Sequence, residues 1–374
     1  MRVLIVSGNY SPALTPRSFR TTELARELFK QGHHVLVCVP NKRRDYDDEW
    51  VRYGVEVVQL SKNRFNKLPF RHPFIGKICH AINRTMELLF EYPSIELVFK
   101  VSKFLTLEVG RYDLLISIAS PYPIHWGVAK ALSKRPDLCR KWIADCGDPY
   151  MGASLETYSK PFYFKYVEKW FCRKADYLTV PTQGAMDGYY PEFRDKIRVI
   201  PQGYNLENVQ LFSGKISHVI PTFAYAGILS FGVRNPSTLL DYLIETKKRF
   251  KFVVYTCQKD LLHPYKSRLS DALELRDYVE RDRLLFELSG MDFLINLDNG
   301  TSRQLPSKLI DYAIAGRPVL NVNVRQLNKN HIDEFLEGNY QNACRLPDKE
   351  EYDITNVAKK FIALADNALA HVCN

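Results

Sequence analysis

Residues 2–39, RVLIVSGNYSPALTPRSFRTTELARELFKQGHHVLVCV, decide the fold. The chain opens on an apolar run at residues 2–6 and continues into a loop that contains two prolines. Apolar residues then recur at helical spacing over residues 24–29, and Gly32 marks the end of that helix. A second apolar run follows at residues 35–39. A strand, a helix and a strand in this order form a βαβ unit, so we predict a parallel sheet.

Further strand-like runs predict two α/β domains in succession. The first series lies at residues 55–60, 114–118, 142–144, 177–180 and 197–200, and the second at 223–226, 252–255, 293–297 and 319–322. We therefore predict one doubly wound domain over residues 1–205 and another over residues 206–350. Apolar residues at helical spacing predict a final amphipathic helix within residues 351–374. A length of 374 residues fits two such domains.

The composition is that of a folded globular protein, with 46% apolar and 25% charged residues. No apolar run approaches the roughly 18–20 residues of a membrane-spanning helix, and the first residues lack the basic start of a signal peptide. The eight cysteines show no metal-binding spacing, so we expect reduced thiols in a cytoplasmic protein. Lysine and arginine exceed aspartate and glutamate by 52 to 42, which favours anionic partners: nucleic acid, an anionic membrane or phosphorylated small molecules.

The strongest chemical signal is RQLPSKLIDYAIAGRP, residues 303–318. Pro306 suits a first helical turn, Gly316 suits the residue just past a helix end, and Pro318 prevents continuation. The pattern predicts a helix of about ten residues. Lys308 then lies in the first turn, where a cation opposes the helix dipole by about 0.3–1 kcal/mol unless an anion occupies that end. The pattern therefore indicates a phosphate site.

Asp311 follows Lys308 by about one helical turn, on the same face. A carboxylate there can accept hydrogen bonds from the paired hydroxyls of a sugar. The alternative is that Lys308 and Asp311 form a solvated surface pair, which is common and contributes little.

Several stretches, in the same order along nearly the whole chain, resemble those of one enzyme family. They are residues 10–12 with Arg17 and Arg20, 32–35, 120–121 with His125, 143–145 with 148–149, 196–203, 225–227 with 234–236, and 291–320. Each is weak alone, whereas their ordered co-occurrence is specific. Together they resemble the bacterial glycosyltransferases of family 4, which have the GT-B fold.

The resemblance implies two Rossmann-like domains that face each other across a cleft, with a final helix that packs back on the first. It also implies sugar transfer from a nucleotide diphosphate donor with retention of configuration, without a metal and without a cofactor. As the sugar leaves, negative charge grows on the diphosphate, and fixed cations and amides there lower the barrier. Arg234, Lys308 and the amide of Ser307 are the candidates for this role.

The predicted donor site also includes Gly227, Asp311 and Arg303. Three positions depart from the family pattern. Asp311 stands where a glutamate usually holds the ribose, Arg303 where many members have another glutamate, and Ile228 where an arginine is usual.

The first domain is expected to supply the remaining site residues. His125 follows a predicted strand, at the edge where open α/β sheets bind ligands, and the resemblance implies contact with the transferred sugar. The alternative is a packing histidine. We predict that Arg17, Arg20 and Asp148 bind the acceptor, and that the two arginines contact an acceptor phosphate. Asp145 could take the place of Asp148 in this role, or it could only cap a turn.

Residues 45–47 read Asp-Tyr-Asp, the metal-binding DxD pattern of the other large glycosyltransferase fold. The pattern lies in a highly charged loop, and nothing in the second half of the chain supports a metal. We predict no metal site.

Residues 61–86 contain six basic residues and no acid, interleaved with aromatic and aliphatic residues. Such a segment suits an anionic membrane surface, where each Lys or Arg contributes about 1 kcal/mol. The alternative is a solvated face whose apolar residues cover the sheet. Nucleic-acid binding is not predicted, because no binding module is recognisable.

The resemblance, together with the basic segment, implies a hexosyltransferase that extends a surface polysaccharide on a lipid-linked acceptor, in the cytoplasm and peripheral to the inner membrane. The alternatives are a sugar-nucleotide epimerase or hydrolase of the same fold, and a degenerate subunit without catalysis. Residues 8–12 do not form a GxGxxG turn, which argues against an NAD-dependent oxidoreductase.

Overall fold

The computed structural model describes residues 1–13, 15–41, 45–68, 73–147, 149–152, 160–207, 209–230, 234–298 and 308–366. The chain divides into two compact units. The first unit consists of Met1–Tyr204 with Asp353–Asn374, and the second is Asn205–Tyr352.

The first unit contains a seven-stranded parallel sheet. Its strands are β1 (Arg2–Ser7), β2 (His34–Asn41), β3 (Glu56–Lys62), β4 (Tyr112–Ile118), β5 (Cys139–Asp145), β6 (Tyr177–Val180) and β7 (Ile197–Val199). They lie in the order β3-β2-β1-β4-β5-β6-β7. Ile5 pairs with Val37 on one side and Ile116 on the other, and all three are fully buried. Apolar residues cover both faces of the central strands, as a sheet between two helical layers requires.

The helices of the first unit alternate with its strands. They are α1 (Pro16–Lys30), α2 (Asp47–Tyr53), α3 (Pro73–Phe90), α4 (Glu96–Leu107), α5 (Pro123–Leu132), α6 (Phe164–Lys174) and α7 (Gln183–Met186). Helix α1 begins at Pro16, within the stretch predicted as a loop: the Thr15 side chain accepts a hydrogen bond from the Ser18 amide, and Pro16 occupies the first helical position.

The second unit contains a five-stranded parallel sheet in the order β10-β9-β8-β11-β12. The strands are β8 (Thr222–Ala226), β9 (Lys251–Tyr255), β10 (Leu273–Arg276), β11 (Phe293–Leu297) and β12 (Val319–Val322). The helices are α8 (Ser237–Glu245), α9 (His263–Leu269), α10 (Arg281–Ser289), α11 (Lys308–Ala315) and α12 (Lys329–Leu336). Phe223 stacks between Phe252 and Phe293, with ring centroids 4.7 and 4.5 Å apart. The predicted α/β class is confirmed by these two sheets.

The sequence analysis did not predict β10. Two of its four residues are charged, and it lies at the edge of the sheet. Glu274 on this strand pairs with Lys251 on its neighbour at 2.7 Å. Charged residues are usual on exposed edge strands, where they discourage pairing with other chains, so the strand lacks an apolar pattern.

Helix α13 (Ile354–Asp366) belongs to the first unit. Its residues Val357, Ala358 and Phe361 share one buried apolar cluster with Leu24 and Leu28 of α1. Among the residues that the structure describes, no helix combines the length and the apolar character needed to cross a bilayer.

Candidate functional site

The candidate donor residues of the second unit lie where β8 ends and α11 begins. Gly227 follows β8 directly, with φ of +149°, and Lys308 is the first residue of α11. The Tyr312 hydroxyl, four residues further along α11, accepts a hydrogen bond from the Ala226 amide at 3.0 Å and donates one to the Ile295 carbonyl at 3.0 Å. The Tyr312 hydroxyl therefore fixes α11 against the end of β8 and the middle of β11. The carboxyl ends of the strands form the edge at which α/β sheets bind ligands.

The ammonium of Lys308 is buried beside a second cation. Its Nζ lies 4.5 Å from the centre of the Tyr225 ring and has no hydrogen-bond partner among the described residues. Burial and then the positive charge of Arg234 lower the pKa of Lys308 to about 7. A buried cation without a hydrogen-bond acceptor is costly, so the arrangement fits an anionic ligand.

Asp311 is held by an arginine that the sequence analysis missed. Arg281, the first residue of α10, has Nε at 2.8 Å and Nη2 at 2.7 Å from the same carboxylate oxygen of Asp311. Burial raises the pKa of Asp311, and the ion pair with Arg281 opposes that shift. The alternative of a solvated Lys308–Asp311 pair is therefore wrong: Asp311 pairs with α10, and the Lys308 ammonium is enclosed.

Three predicted site residues, Asp148, Arg303 and Ser307, lie outside the described residues. Their roles stay predictions.

His125 lies on α5 in the core of the first unit and is fully buried. Its Nδ1 is 2.7 Å from the hydroxyl of Ser117, and its ring stacks on Phe171 with centroids 5.1 Å apart. Burial lowers the pKa of His125 to about 3, so the imidazole is neutral. This is the environment of the packing alternative, and the predicted catalytic role stays a prediction.

Arg20 is also buried, and its partner is Asp145 at the end of β5. Two nitrogens of the guanidinium reach both carboxylate oxygens, and the remaining contacts are with the carbonyls of Ile200 and Pro201. Burial alone would raise the pKa of Asp145, but Arg20 and Arg17 hold it below its usual range. As described, the Arg20 guanidinium is buried and makes these contacts within the protein itself, and its predicted role on an acceptor phosphate stays a prediction.

Arg17 occupies a more open position at the same carboxylate. Its Nη1 is 3.2 Å from Asp145, and the side chain is 21% exposed. Gly147, with φ of +72°, lies directly against it, and a Cβ at that position would overlap the Arg17 guanidinium. Because Arg20 already neutralises Asp145, the charge of Arg17 is in excess at this edge of the sheet.

The DxD pattern has a local structural role. Asp45 accepts a hydrogen bond from the Asp47 amide at 2.9 Å, just at the start of α2, and Asp48 lies 3.6 Å from Arg52 one turn later. Within the described ranges, no group of three or more His, Cys, Asp or Glu side chains is arranged to hold a metal.

The comparisons with known proteins agree with this architecture. The sequence model of Glycosyltransferase Family 4 matches residues 19–208, half of the chain. None of the curated proteins matches by sequence. Among similar solved structures, HepE of Anabaena in complex with UDP has a TM-score of 0.64 and 12% identity, and the match covers 99% of this chain and 100% of that one. The lipopolysaccharide outer core galactosyltransferase WaaB has a TM-score of 0.59 and 12% identity, with coverage of 99% and 100%. UDP-GlcNAc 2-epimerase of Neisseria meningitidis bound to UDP-GlcNAc has a TM-score of 0.59 and 13% identity, with coverage of 98% and 100%.

The matched family, the two parallel sheets and the similar structures confirm the predicted GT-B fold. The chain belongs to glycosyltransferase family 4 and is a glycosyltransferase.

Proposed function

We propose that the chain transfers a sugar from a nucleotide diphosphate sugar to a phosphate-bearing, lipid-linked glycan, with retention of configuration and without a metal. The observation that carries the donor half of this proposal is the buried ammonium of Lys308 at the start of α11, which has no hydrogen-bond partner in the described part of the chain and lies in the field of Arg234. A diphosphate supplies negative oxygens for the Lys308 ammonium, and the neighbouring charge of Arg234 adds to the attraction.

The chemistry follows from the charge that develops during transfer. When the bond between sugar and diphosphate lengthens, negative charge accumulates on the leaving phosphate, and cations already in position stabilise it without reorganisation. The N-terminus of α11 adds its dipole at the same place. Asp311, oriented by Arg281, is the group proposed to accept hydrogen bonds from the ribose. The UDP bound to HepE supports a nucleotide donor.

The acceptor half of the proposal rests on Arg17. Its guanidinium is partly exposed and carries the excess positive charge of the Arg17–Arg20–Asp145 group. An acceptor phosphate fits this charge. The similarity to WaaB, a lipopolysaccharide galactosyltransferase, supports a surface polysaccharide as the product.

The same proposal includes docking on an anionic membrane through residues 61–86. Asn83 on α3 faces inward and binds both backbone groups of Leu68, at 2.9 and 3.0 Å. Ile78 and Ile82, one turn apart, face outward with 57% and 45% of their surface exposed. The exposure of Ile78 and Ile82 supports docking over the alternative in which the apolar residues cover the sheet. Together with Lys77 and other exposed cations they form an apolar and basic surface that fits lipid headgroups.

Donor binding is tested by a thermal-shift screen of nucleotide diphosphate sugars. A ligand at a hundred times its dissociation constant adds about 2.7 kcal/mol of stability. Lys308→Met and Arg234→Met are expected to abolish the shift, whereas Lys247→Met, an exposed lysine of the same unit, leaves it unchanged. A shift that survives in both site variants contradicts the phosphate site.

Product analysis separates the candidate activities. Retention is read from the anomeric configuration of the product by NMR, and metal independence from unchanged rates in EDTA. Release of a free sugar or an epimer without acceptor would favour the hydrolase or epimerase alternative, in line with the fold shared with the epimerase. A folded protein without affinity for any sugar nucleotide would favour the degenerate subunit.

Membrane docking is tested by sedimentation with vesicles of phosphatidylglycerol and of phosphatidylcholine. We expect binding to the anionic vesicles alone, and its loss in an Ile78→Ser/Ile82→Ser variant and in a Lys77→Gln/Arg84→Gln variant. The control is Lys134→Gln, another exposed lysine of the first unit. Equal retention of all variants, or none of the wild type, contradicts the docking proposal.

A further inference from the structure

Lys308 is enclosed in a way that links its charge to the presence of a ligand. Its Nζ is buried, lies over the ring of Tyr225 and has no hydrogen-bond acceptor among the described residues. The positive charge of a second cation, Arg234, also acts on it. We infer that binding of the donor diphosphate takes up one proton from solvent onto the Lys308 amine. The inference rests on the proposed function, since it concerns the same site.

Among the described residues, the groups near Lys308 that could compensate a positive charge already have other partners. On its own helix, Asp311 is already paired with Arg281 of α10. The Tyr312 hydroxyl is bound by the Ala226 amide and the Ile295 carbonyl. From β8, the packed group is the Tyr225 ring, whose hydroxyl donates to the carbonyl of Ile228 at 3.0 Å.

Without ligand, Lys308 therefore exchanges its proton near neutral pH. Burial and the charge of Arg234 lower its pKa to about 7. A sugar-linked diphosphate brings negative oxygens that hold the ammonium form, so the pKa rises on binding. The diphosphate of a nucleotide sugar has no proton to give up near pH 7, so the proton must come from solvent. Nothing else is transferred: one N–H bond forms on Nζ, and the buffer loses the proton.

The linkage gives donor binding a definite pH dependence. Below pH 7 the site already holds its proton, and affinity is constant. Above pH 7 the unliganded site is increasingly neutral, and the dissociation constant rises towards tenfold per pH unit. An arginine at position 308 would keep its charge at every accessible pH.

The experiment is calorimetric titration with UDP-glucose, and with ADP-glucose and GDP-glucose if UDP-glucose gives no heat. Each titration is run in buffers of different ionisation enthalpy, so that the slope of observed enthalpy against buffer enthalpy counts protons. We expect uptake of about 0.9 proton at pH 8 and about 0.1 at pH 6. Lys308→Arg is expected to bind without uptake, and Lys247→Arg to behave as the wild type.

The outcomes separate the two proposals. Binding at pH 8 without proton uptake, or full uptake in the Lys308→Arg variant, overturns the inference and leaves the proposed donor site intact. No binding of any of the three sugar nucleotides by the wild type overturns both. Donor binding by the wild type with proton uptake, and binding by Lys308→Arg without proton uptake, support both the donor site and the inference.

Discussion

Arg20 meets Asp145 at two points: Nε lies 3.2 Å from Oδ2, and Nη2 lies 3.0 Å from Oδ1. The same guanidinium lies 5.0 Å from the centre of the Phe361 ring of α13. One buried side chain thus joins α1, β5 and α13 within the first unit.

Replacing Arg20 by methionine is expected to destabilise the first unit by about 3–5 kcal/mol, because it leaves the buried carboxylate of Asp145 with less compensation. Arg17→Met is the matched control, since Arg17 contacts the same carboxylate but is partly exposed. It is expected to cost about 1 kcal/mol or less. Urea unfolding measures both, and equal losses would contradict the structural role of Arg20.

Gly147→Ala is expected to destabilise the protein more than Gly32→Ala. Both glycines have positive φ, +72° and +84°. A methyl group at Gly147 overlaps the Arg17 guanidinium, whereas nothing lies within 4 Å of one at Gly32. Gly32→Ala should cost about 1 kcal/mol for its backbone conformation alone. Gly147→Ala should cost up to about 1 kcal/mol more, because the flexible end of Arg17 must also move away from Asp145. Similar unfolding midpoints would show that Arg17 moves aside freely.

Glu168→Gln is expected to remove a pH dependence of stability. Glu168 is buried, and its Oε1 accepts a hydrogen bond from the Tyr150 amide at 3.3 Å. Burial raises the pKa of Glu168 to about 7. The Glu168 carboxyl loses its proton above about pH 4.3 in the unfolded chain but only near pH 7 in the folded protein. The free energy of unfolding therefore falls between these two pH values, by on the order of 3 kcal/mol.

The glutamine is neutral at every pH, so Glu168→Gln should flatten the stability curve between pH 5 and pH 7 and be the more stable protein at pH 8. Glu245→Gln, on an exposed residue, serves as the control. A curve for Glu168→Gln parallel to that of the wild type would contradict the prediction.

Tyr312→Phe keeps the buried ring but removes the hydroxyl that binds the Ala226 amide and the Ile295 carbonyl. Leaving two buried backbone groups unpaired is expected to cost about 1–3 kcal/mol. Because the hydroxyl holds α11 against the turn at Gly227, the donor dissociation constant should also rise several-fold. Calorimetry measures it, with the exposed Tyr278→Phe as control; donor affinity unchanged in Tyr312→Phe would limit Tyr312 to stability.

Lys308→Met should stabilise the unliganded protein while it abolishes donor binding. Burial lowers the pKa of Lys308 to about 7, so below that pH the folded state carries the full cost of a buried charge. Stability of the wild type rises as pH increases from about 7 towards 10, where the unfolded chain still holds the proton. Thermal unfolding at pH 6 should show a gain of up to about 4–5 kcal/mol, the free energy of a lysine pKa lowered from about 10.4 to about 7. The gain should be absent in Lys308→Arg.

The alternation of strands and helices was predictable because it depends on local periodicity. Residues 2–39 contain the signals for β1, α1 and β2, and the proline and glycine around α11 indicate where that helix ends. The pattern around Lys308 also indicated an anion site, since a cation in a first helical turn is locally unfavourable. Strand β10 was not predicted because it lies at the exposed edge of the sheet, where charged residues replace the apolar pattern by which strands are recognised.

The partners of the charged residues were decided only by tertiary structure. Asp311 pairs with Arg281, which is 30 residues earlier, and Asp145 pairs with Arg20, which is 125 residues earlier. No local pattern encodes such distances along the chain, because the packing of helices on the sheets brings these residues together. The degree of burial was also decided only by the tertiary structure: His125 is enclosed in the core, whereas Ile78 is exposed on α3. The sequence by itself determined the alternation of strands and helices, the family and the position of helix α11. The fold decided which charges are compensated, and among the described residues it leaves the Lys308 ammonium without a hydrogen-bond acceptor.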